Sequence, residues 1–396
     1  MLNPRLDAFQ GYAFKQLAGL LDPIPPASNL PPVLLSVGEP QNPPPGFLAE
    51  VVQANAHLWN RYPPARGTPA FRAAVAGHLA RRYGLPDGFL DPERHIIPVP
   101  GTREPLFLIG LVAIPEAKGG GRPAVLLPNP FYHVYEGTAA ATGAEPIYLP
   151  ATKATNFIPD IERVDLAVLD RTALAYLCTP TNPQGTVADR DTLKRWIGLA
   201  RAHDFLLVVD ECYAEIYRDT PPLGALEVLA EMGEGLDNVL VMHSLSKRSS
   251  APGLRVGFLA GDPRYVDRYA ELVGYGGVSV PLPLLAAGAA LYGEDAHVAA
   301  NRALYNANYA AAAACLGGRF GHYTPEAGFY LWLEVGDGVA AASRLWREAA
   351  IRVLPGRFMG RDDGTGVNPG DAFIRVALVY DTATTAAALE RMARVL

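Results

Sequence analysis

The sequence offers little sulfur chemistry. It holds three cysteines, Cys178, Cys212 and Cys315, scattered and with no C-x-x-C pair. They read as reduced, mostly buried thiols of a cytoplasmic protein, and no metal site is expected. No block of lysine or arginine stands out, and the net charge is -6. Nucleic acid and anionic membrane are therefore not expected as partners. The opening stretch MLNPRLDAFQGYAFKQLAGLL mixes charge with aromatics and has no continuous apolar core, so a signal peptide is not expected. No G-x-G-x-x-G follows the first strand, which argues against a dinucleotide-binding dehydrogenase. There is no internal repeat and no low-complexity tract. One uncharged stretch, LVGYGGVSVPLPLLAAGAALYG at 272–293, is long enough to span a bilayer. Its five glycines and two prolines instead predict a loop followed by a buried helix.

What is present is a globular composition: 49% hydrophobic and 19% charged residues over 396 positions. That length suggests two domains, or one large α/β domain with a smaller partner. Short apolar runs end in turn or polar residues: HIIPVPGT, AVLLPNP, PIYLP, LAYLCTPTNPQG, FLLVVDECY, NVLVMHSLSK and LRVGFLAGD. Most are unbroken rather than alternating, as expected for strands buried on both faces. Helical patterns lie between them, clearest in GTREPLFLIGLVAI and in DRDTLKRWIGLARAHD, with Asp189 as a candidate N-cap. The alternation predicts an α/β fold with a large, doubly wound, mostly parallel sheet. After about residue 290 the pattern becomes that of a smaller α+β domain. The expected division is 1–40 as an N-terminal arm belonging to the small domain or covering the site, 41–290 as the large domain, and 291–396 as the small domain. IPPASNLPP and DDGTGVNPG read as loops.

Ligands of doubly wound sheets bind at the carboxyl ends of strands. There the sequence repeatedly places polar groups: Gly101-Thr102-Arg103, Asn182, Asp210 with Tyr213, and Ser244 to Lys247. In HSLSKRSSAPGLRVGF, Lys247 stands eight residues before Arg255. A lysine alone is ordinarily a solvated surface residue. Beside Ser244, Ser246 and Arg255, which form a phosphate-binding set, it suggests an amine that attacks a phosphorylated aldehyde, pyridoxal phosphate. Asp210 can keep the pyridine nitrogen protonated, although an aspartate after a strand is also a common cap. Asn182 and Tyr213 can hold the ring oxygen. Thr102 and Arg103 offer amides at a helix start for the phosphate. Tyr132 can stack on the ring, with Tyr135 as the core-packing alternative.

Over nearly its full length the chain resembles the fold-type-I pyridoxal-phosphate aminotransferases, on SLSKRSSAPGLRVGF, TNPQG, VVDECYAEIY, NPFYHVYEG and FIRVALV. That resemblance implies that Lys247 is bonded covalently to the cofactor and is catalytic together with Asp210 and Tyr213. It implies cofactor contacts from Asn182, Tyr132, Thr102, Arg103, Ser244, Ser246 and Arg255. Arg375, Gly38 and Asn182 would bind the substrate. Tyr62 would reach the phosphate of a neighbouring subunit, which makes the expected enzyme a homodimer with shared active sites. Further segments, among them LSVGEPQNPPP, LDPERHIIPVPGTREPLF, PLPLLAA and HVAANRALY, are similar to the N-succinyl-LL-2,6-diaminopimelate aminotransferases. The implied substrates are that amino acid and 2-oxoglutarate, in bacterial lysine biosynthesis. Aspartate, aromatic amino acids and N-acetylornithine are the alternatives on the same cofactor shell, and a β-eliminating C–S lyase is a further option on this fold. RSSAPG departs from the family's RSNLPG. Arg5, Lys15, Arg66, Arg103 and Arg248 stand as candidates for the distal carboxylates. A non-catalytic cofactor-sensing regulator is disfavoured, because no DNA-binding segment accompanies the fold.

Overall fold

The apolar runs become strands whose alternate side chains enter two separate cores. In Leu206–Asp210, Leu207 and Val209 join one buried cluster, and Leu206 and Val208 join the other. A strand covered on both faces can be apolar throughout and still segregate its side chains with period two. The structure, a computed structural model, describes residues 2–363 and 366–396. Met1, and Gly364 and Thr365 of the DDGTGVNPG loop, lie outside them.

Twelve strands follow in chain order: β1 Val33–Leu34, β2 Ile96–Val99, β3 Ala124–Asn129, β4 Glu145–Pro150, β5 Thr172–Cys178 and β6 Leu206–Asp210; then β7 Val239–Ser244, β8 Gly257–Gly261, β9 Tyr330–Glu334, β10 Ile351–Arg352, β11 Leu354–Pro355 and β12 Phe373–Ala377. Seven form the large sheet in the order β2-β8-β7-β6-β5-β3-β4. β8 is antiparallel to both its neighbours, and the pairs from β7 across to β4 are parallel. The carboxyl ends of β5, β6 and β7 therefore lie side by side, with Cys178 level with Asp210 and Asp210 level with Met242. The helices Arg103–Ala113 and Arg190–Ala202 form where the sequence predicts them, and the Asp189 side chain caps the second by accepting from the Thr192 amide at 2.7 Å.

β11, β12 and β9 make a separate antiparallel sheet. Its core gathers Leu331, Leu333, Ile374 and Val376 against the helices Ala296–Leu316, Gly338–Ala349 and Thr382–Val395. The N-terminal residues pack on this unit. β1 pairs in parallel with β10, and Leu17 and Leu21 of the helix Ala13–Leu21 contact a cluster holding Trp332, Trp346 and Met359. The 272–293 stretch is more helical than the sequence suggests. Residues 272–275 close the helix Pro263–Tyr275, and the loop begins only at Gly276. Tyr269 and Val273 bury the face of that helix, so packing overrides the glycine-rich composition at its end. The following helix, Leu282–Tyr292, is buried as expected. Among the described residues no helix is long and apolar enough to cross a membrane.

Candidate active site

A cavity of about 520 Å³ opens where the carboxyl ends of β5, β6 and β7 meet the three-stranded sheet. Thr102, Arg103, Tyr132, Asn182, Asp210, Tyr213, Ser244, Ser246, Lys247, Arg255, Arg375 and Gly38 all line it. They come from seven separated segments of the chain.

Asp210 forms the buried floor. As the last residue of β6 it shares the parity of Leu206 and Val208, and so points toward the core that contains Tyr135. The Tyr135 hydroxyl donates to Asp210 Oδ2 at 2.7 Å, and the Cys212 amide donates to Oδ1 at 3.2 Å. Burial raises the Asp210 carboxyl above its ordinary range, and these two hydrogen bonds oppose the rise. Tyr135 itself lies flat on Tyr176, ring centroids 4.4 Å apart. The two tyrosines, three positions apart, both border the cavity, and Tyr135 also holds Asp210.

Lys247 does not sit on the strand end itself. Ser244 ends β7 and caps a single helical turn, Leu245–Arg248, by accepting from the Ser246 amide at 3.1 Å. The turn carries Lys247 into the cavity, where its Nζ donates to the Gly38 carbonyl. Burial pushes the Lys247 ammonium down to about 8 from 10.5, with Cys212 and Glu39 acting against the fall and Arg375 and Arg103 reinforcing it. A larger share of neutral amine is available near pH 7 than for an exposed lysine.

Around one end of the cavity lie hydroxyls and a guanidinium. Ser244 and Ser246 hydroxyls are 2.9 Å apart. Arg255, in the left-handed region at φ 57°, is held by the carbonyls of Pro100 at 2.7 Å and Pro252 at 3.1 Å. Gly101, at φ 73°, leaves room for it, since a Cβ there would come within 2.5 Å of Arg255 Nη2. The helix Arg103–Ala113 begins beside them, and its first-turn amides have no intrahelical acceptor. Two side chains beside this end have partners of their own. The Thr102 hydroxyl is 3.0 Å from Cys212 Sγ. Arg103 Nε donates to the Tyr132 hydroxyl at 2.9 Å, so its guanidinium lies on the ring's outer edge.

At the other end stands Arg375, on β12. It donates to Asn182 Oδ1 at 2.9 Å and to the Ser36 carbonyl at 2.7 Å, and its guanidinium lies over the Tyr330 ring, 4.3 Å from the centroid. Its buried Nε has no partner among the described residues. Gly38 passes so close that a Cβ would overlap the Tyr330 hydroxyl at 1.8 Å. The Tyr213 and Tyr330 hydroxyls are 3.1 Å apart.

Tyr62 is fully exposed and does not line the cavity of its own chain. Of the five cations considered for distal carboxylates, only Arg103 borders the cavity. Arg66 is engaged by Asp267 and the Glu93 carbonyl, and Arg248 is bound by Asp295 at 2.6 Å and the Leu291 carbonyl at 2.7 Å. Arg5 lines a separate hollow near Pro123, and Lys15 is exposed outside the cavity. Residues not anticipated from the sequence complete the wall: Phe14, Phe131, His133, Phe358, Met359 and Arg361. Arg361 is held by both oxygens of Glu136, at 2.7 and 2.5 Å. Burial drops His133 to about 4, so it is neutral at pH 7. Tyr135, read from the sequence only as a core-packing alternative to Tyr132, also lines the cavity.

The donor set fits pyridoxal phosphate: a neutralisable amine for the aldehyde, a buried carboxylate for the pyridine nitrogen, and hydroxyls, an arginine and a helix start for the phosphate. The fold and this cavity define a pyridoxal-phosphate-dependent enzyme of fold type I. The chain belongs to the aminotransferase class I and II family, whose model matches residues 31–392, and it is an aminotransferase. An aminotransferase structure from Neisseria meningitidis is 37% identical, with a TM-score of 0.93 and 99% of each chain covered. The Streptomyces rimosus 4-dedimethylamino-4-oxo-anhydrotetracycline transaminase OxyQ is 31% identical, covering 91% of this chain and 92% of its own. An LL-diaminopimelate aminotransferase of Desulforudis audaxviator is 28% identical, covering 92% of this chain and 91% of its own.

Proposed function

We propose that the enzyme moves an amino group between N-succinyl-LL-2,6-diaminopimelate and 2-oxoglutarate, in the cytoplasm and in lysine biosynthesis. The observation that carries the reading is the cavity itself, with Lys247 between a phosphate cradle at one end and Arg375 at the other. Arg375 takes the substrate α-carboxylate as a bidentate fork, with Asn182 and the Gly38 backbone beside it. Pyridoxal phosphate, when bound, would supply an electron sink at this site. Lys247 Nζ, whose ammonium burial lowers to about 8, takes the proton from the substrate α-carbon as the free amine. Asp210 holds a negative charge against the pyridine nitrogen, steadied by Tyr135. Tyr213 and Asn182 orient the ring oxygen, Tyr132 covers the ring face, and Thr102, Arg103, Ser244, Ser246 and Arg255 hold the phosphate.

The substrate assignment draws support from the relative named LL-diaminopimelate aminotransferase and from Arg103 at the cavity, where a distal carboxylate can reach it. The enzyme works as a homodimer, with Tyr62 of each chain completing the other's phosphate site. Wholly exposed Tyr62 and Tyr275 and half-exposed Trp59 are surface that a partner would cover. The test is the visible spectrum of the purified protein before and after L-glutamate, and then after the succinylated substrate. Bleaching with both supports the assignment, and bleaching with glutamate alone removes the diaminopimelate substrate. Lys247→Ala should show neither turnover nor the lysine-bound band.

A further inference from the structure

Tyr330 occupies the point where three parts of the chain meet. It lies on β9, whose partner β12 places Arg375 opposite Trp332, two residues along the same face. Diagonal neighbours on one face of an antiparallel pair are within reach of an aromatic ring. The Arg375 guanidinium accordingly rests on the Tyr330 ring. The hydroxyl of the same ring is 3.1 Å from that of Tyr213, which follows β6 in the large sheet unit. Its tip also abuts Gly38, whose carbonyl accepts from Lys247. The side chain is 4% exposed, so water does not compete for these contacts.

The two hydroxyls share one hydrogen bond, and its direction matters. A cation on the face of a phenol draws charge from the ring, which makes that hydroxyl a better donor and a poorer acceptor. Tyr330 carries the cation; Tyr213 packs edge-on against Phe329 and Tyr330 instead. Tyr330 is therefore the donor and Tyr213 the acceptor. The Tyr213 hydrogen is left to point into the cavity.

We infer that Tyr330 is a positioning residue that serves both the cofactor and the substrate: its hydroxyl aims the Tyr213 hydrogen at the cofactor's ring oxygen, and its ring seats Arg375 for the substrate carboxylate. The inference rests on the proposed role of Tyr213. It gives one side chain of the small sheet a hand in both cofactor tuning and carboxylate binding. The charged and titratable groups acting on this pair are Arg375 and Cys212.

The test uses the holoenzyme and two readouts. One is the pH midpoint of the bound cofactor's visible band without substrate. The other is KM for L-glutamate against kcat. A donor at the ring oxygen favours the negative form of the chromophore, so its loss moves the midpoint upward. Tyr213→Phe should raise the midpoint by about one unit or more, and Tyr330→Phe by about half to one unit, as one neutral hydrogen bond allows. Tyr330→Leu, which also removes the ring from beneath Arg375, should raise KM about tenfold beyond Tyr330→Phe. A midpoint that moves in Tyr213→Phe but not in Tyr330→Phe overturns the inference and leaves the reading of Tyr213 intact. A midpoint unmoved in both overturns that reading, and the inference with it. Tyr330→Phe keeps the ring and its packing, so it decides the matter even if the leucine variant fails to fold.

Discussion

Lys247 gives the sharpest prediction, because one burial has two measurable consequences. In the cofactor-free chain its ammonium falls from 10.5 to about 8, mainly through loss of water. That fall corresponds to about 3 kcal/mol of penalty on the charged form. The folded value lies below the unfolded one, so the folded state binds fewer protons between about pH 8 and 10.5. Stability of the cofactor-free protein therefore rises with pH across that window, and the full penalty applies below about 8. Lys247→Met removes the charge and keeps most of the volume, while giving up the hydrogen bond to the Gly38 carbonyl, worth about 1 kcal/mol. The variant should be more stable than the parent by about 2 kcal/mol at pH 7, and the gain should vanish near pH 10.5. Urea unfolding of both cofactor-free proteins at the two pH values measures it. The second consequence is kinetic. Only the neutral amine attacks an aldehyde, so the rate of cofactor loading, followed by its visible absorbance, should rise about tenfold from pH 7 to 9 with an inflection near 8. Glu39→Gln should lower that inflection, since the carboxylate favours the ammonium. A loading rate that inflects above 10, with no stability gain in Lys247→Met at pH 7, would refute the reasoning.

Three other outcomes are expected. Asp210→Ala should lower kcat by about a hundredfold or more, as removal of a preorganised charge does, and a near-parental rate would make Asp210 a structural cap. Tyr135→Phe leaves the buried Asp210 carboxylate one hydrogen bond short and raises its already elevated titration further. A raised carboxyl contributes stability below its unfolded value and loses it as pH rises through the folded one. The cofactor-free variant should thus lose about 1.5–3 kcal/mol at pH 7 and little below about pH 4, and thermal melts showing equal losses at both would exclude the charge-assisted bond. Tyr62→Phe should weaken cofactor retention in dialysis, and a stable monomer that retains cofactor equally well would sink the shared site.

Legibility in the sequence divides along a physical line. The seven apolar runs foretold the seven strands of the large sheet because strand formation and two-sided burial are local matters of composition and period. The polar groups after those runs foretold where a ligand could bind, since parallel strands deliver their carboxyl ends to one edge of the sheet. Local composition misled at residues 272–275, where the buried face formed by Tyr269 and Val273 extends a helix into a stretch that reads as loop.

The chain alone thus determined the α/β alternation and the cofactor chemistry, and it placed Lys247 and Arg255, eight residues apart, on one cavity. It gave no partner for Asp210 and left open which of the five candidate cations stays at the cavity. Tertiary structure decided both. The parity of β6 sends Asp210 to Tyr135, 75 residues away. Asp295 claims Arg248 across 47 residues, and Asp267 claims Arg66 across 201, leaving Arg103 at the cavity. Tyr330 meets Tyr213 across 117 residues only because the small sheet closes over the end of the large one. A residue's type and immediate neighbours set what it can do, but the partners that free or occupy it arrive from distant strands, and only packing brings them within reach.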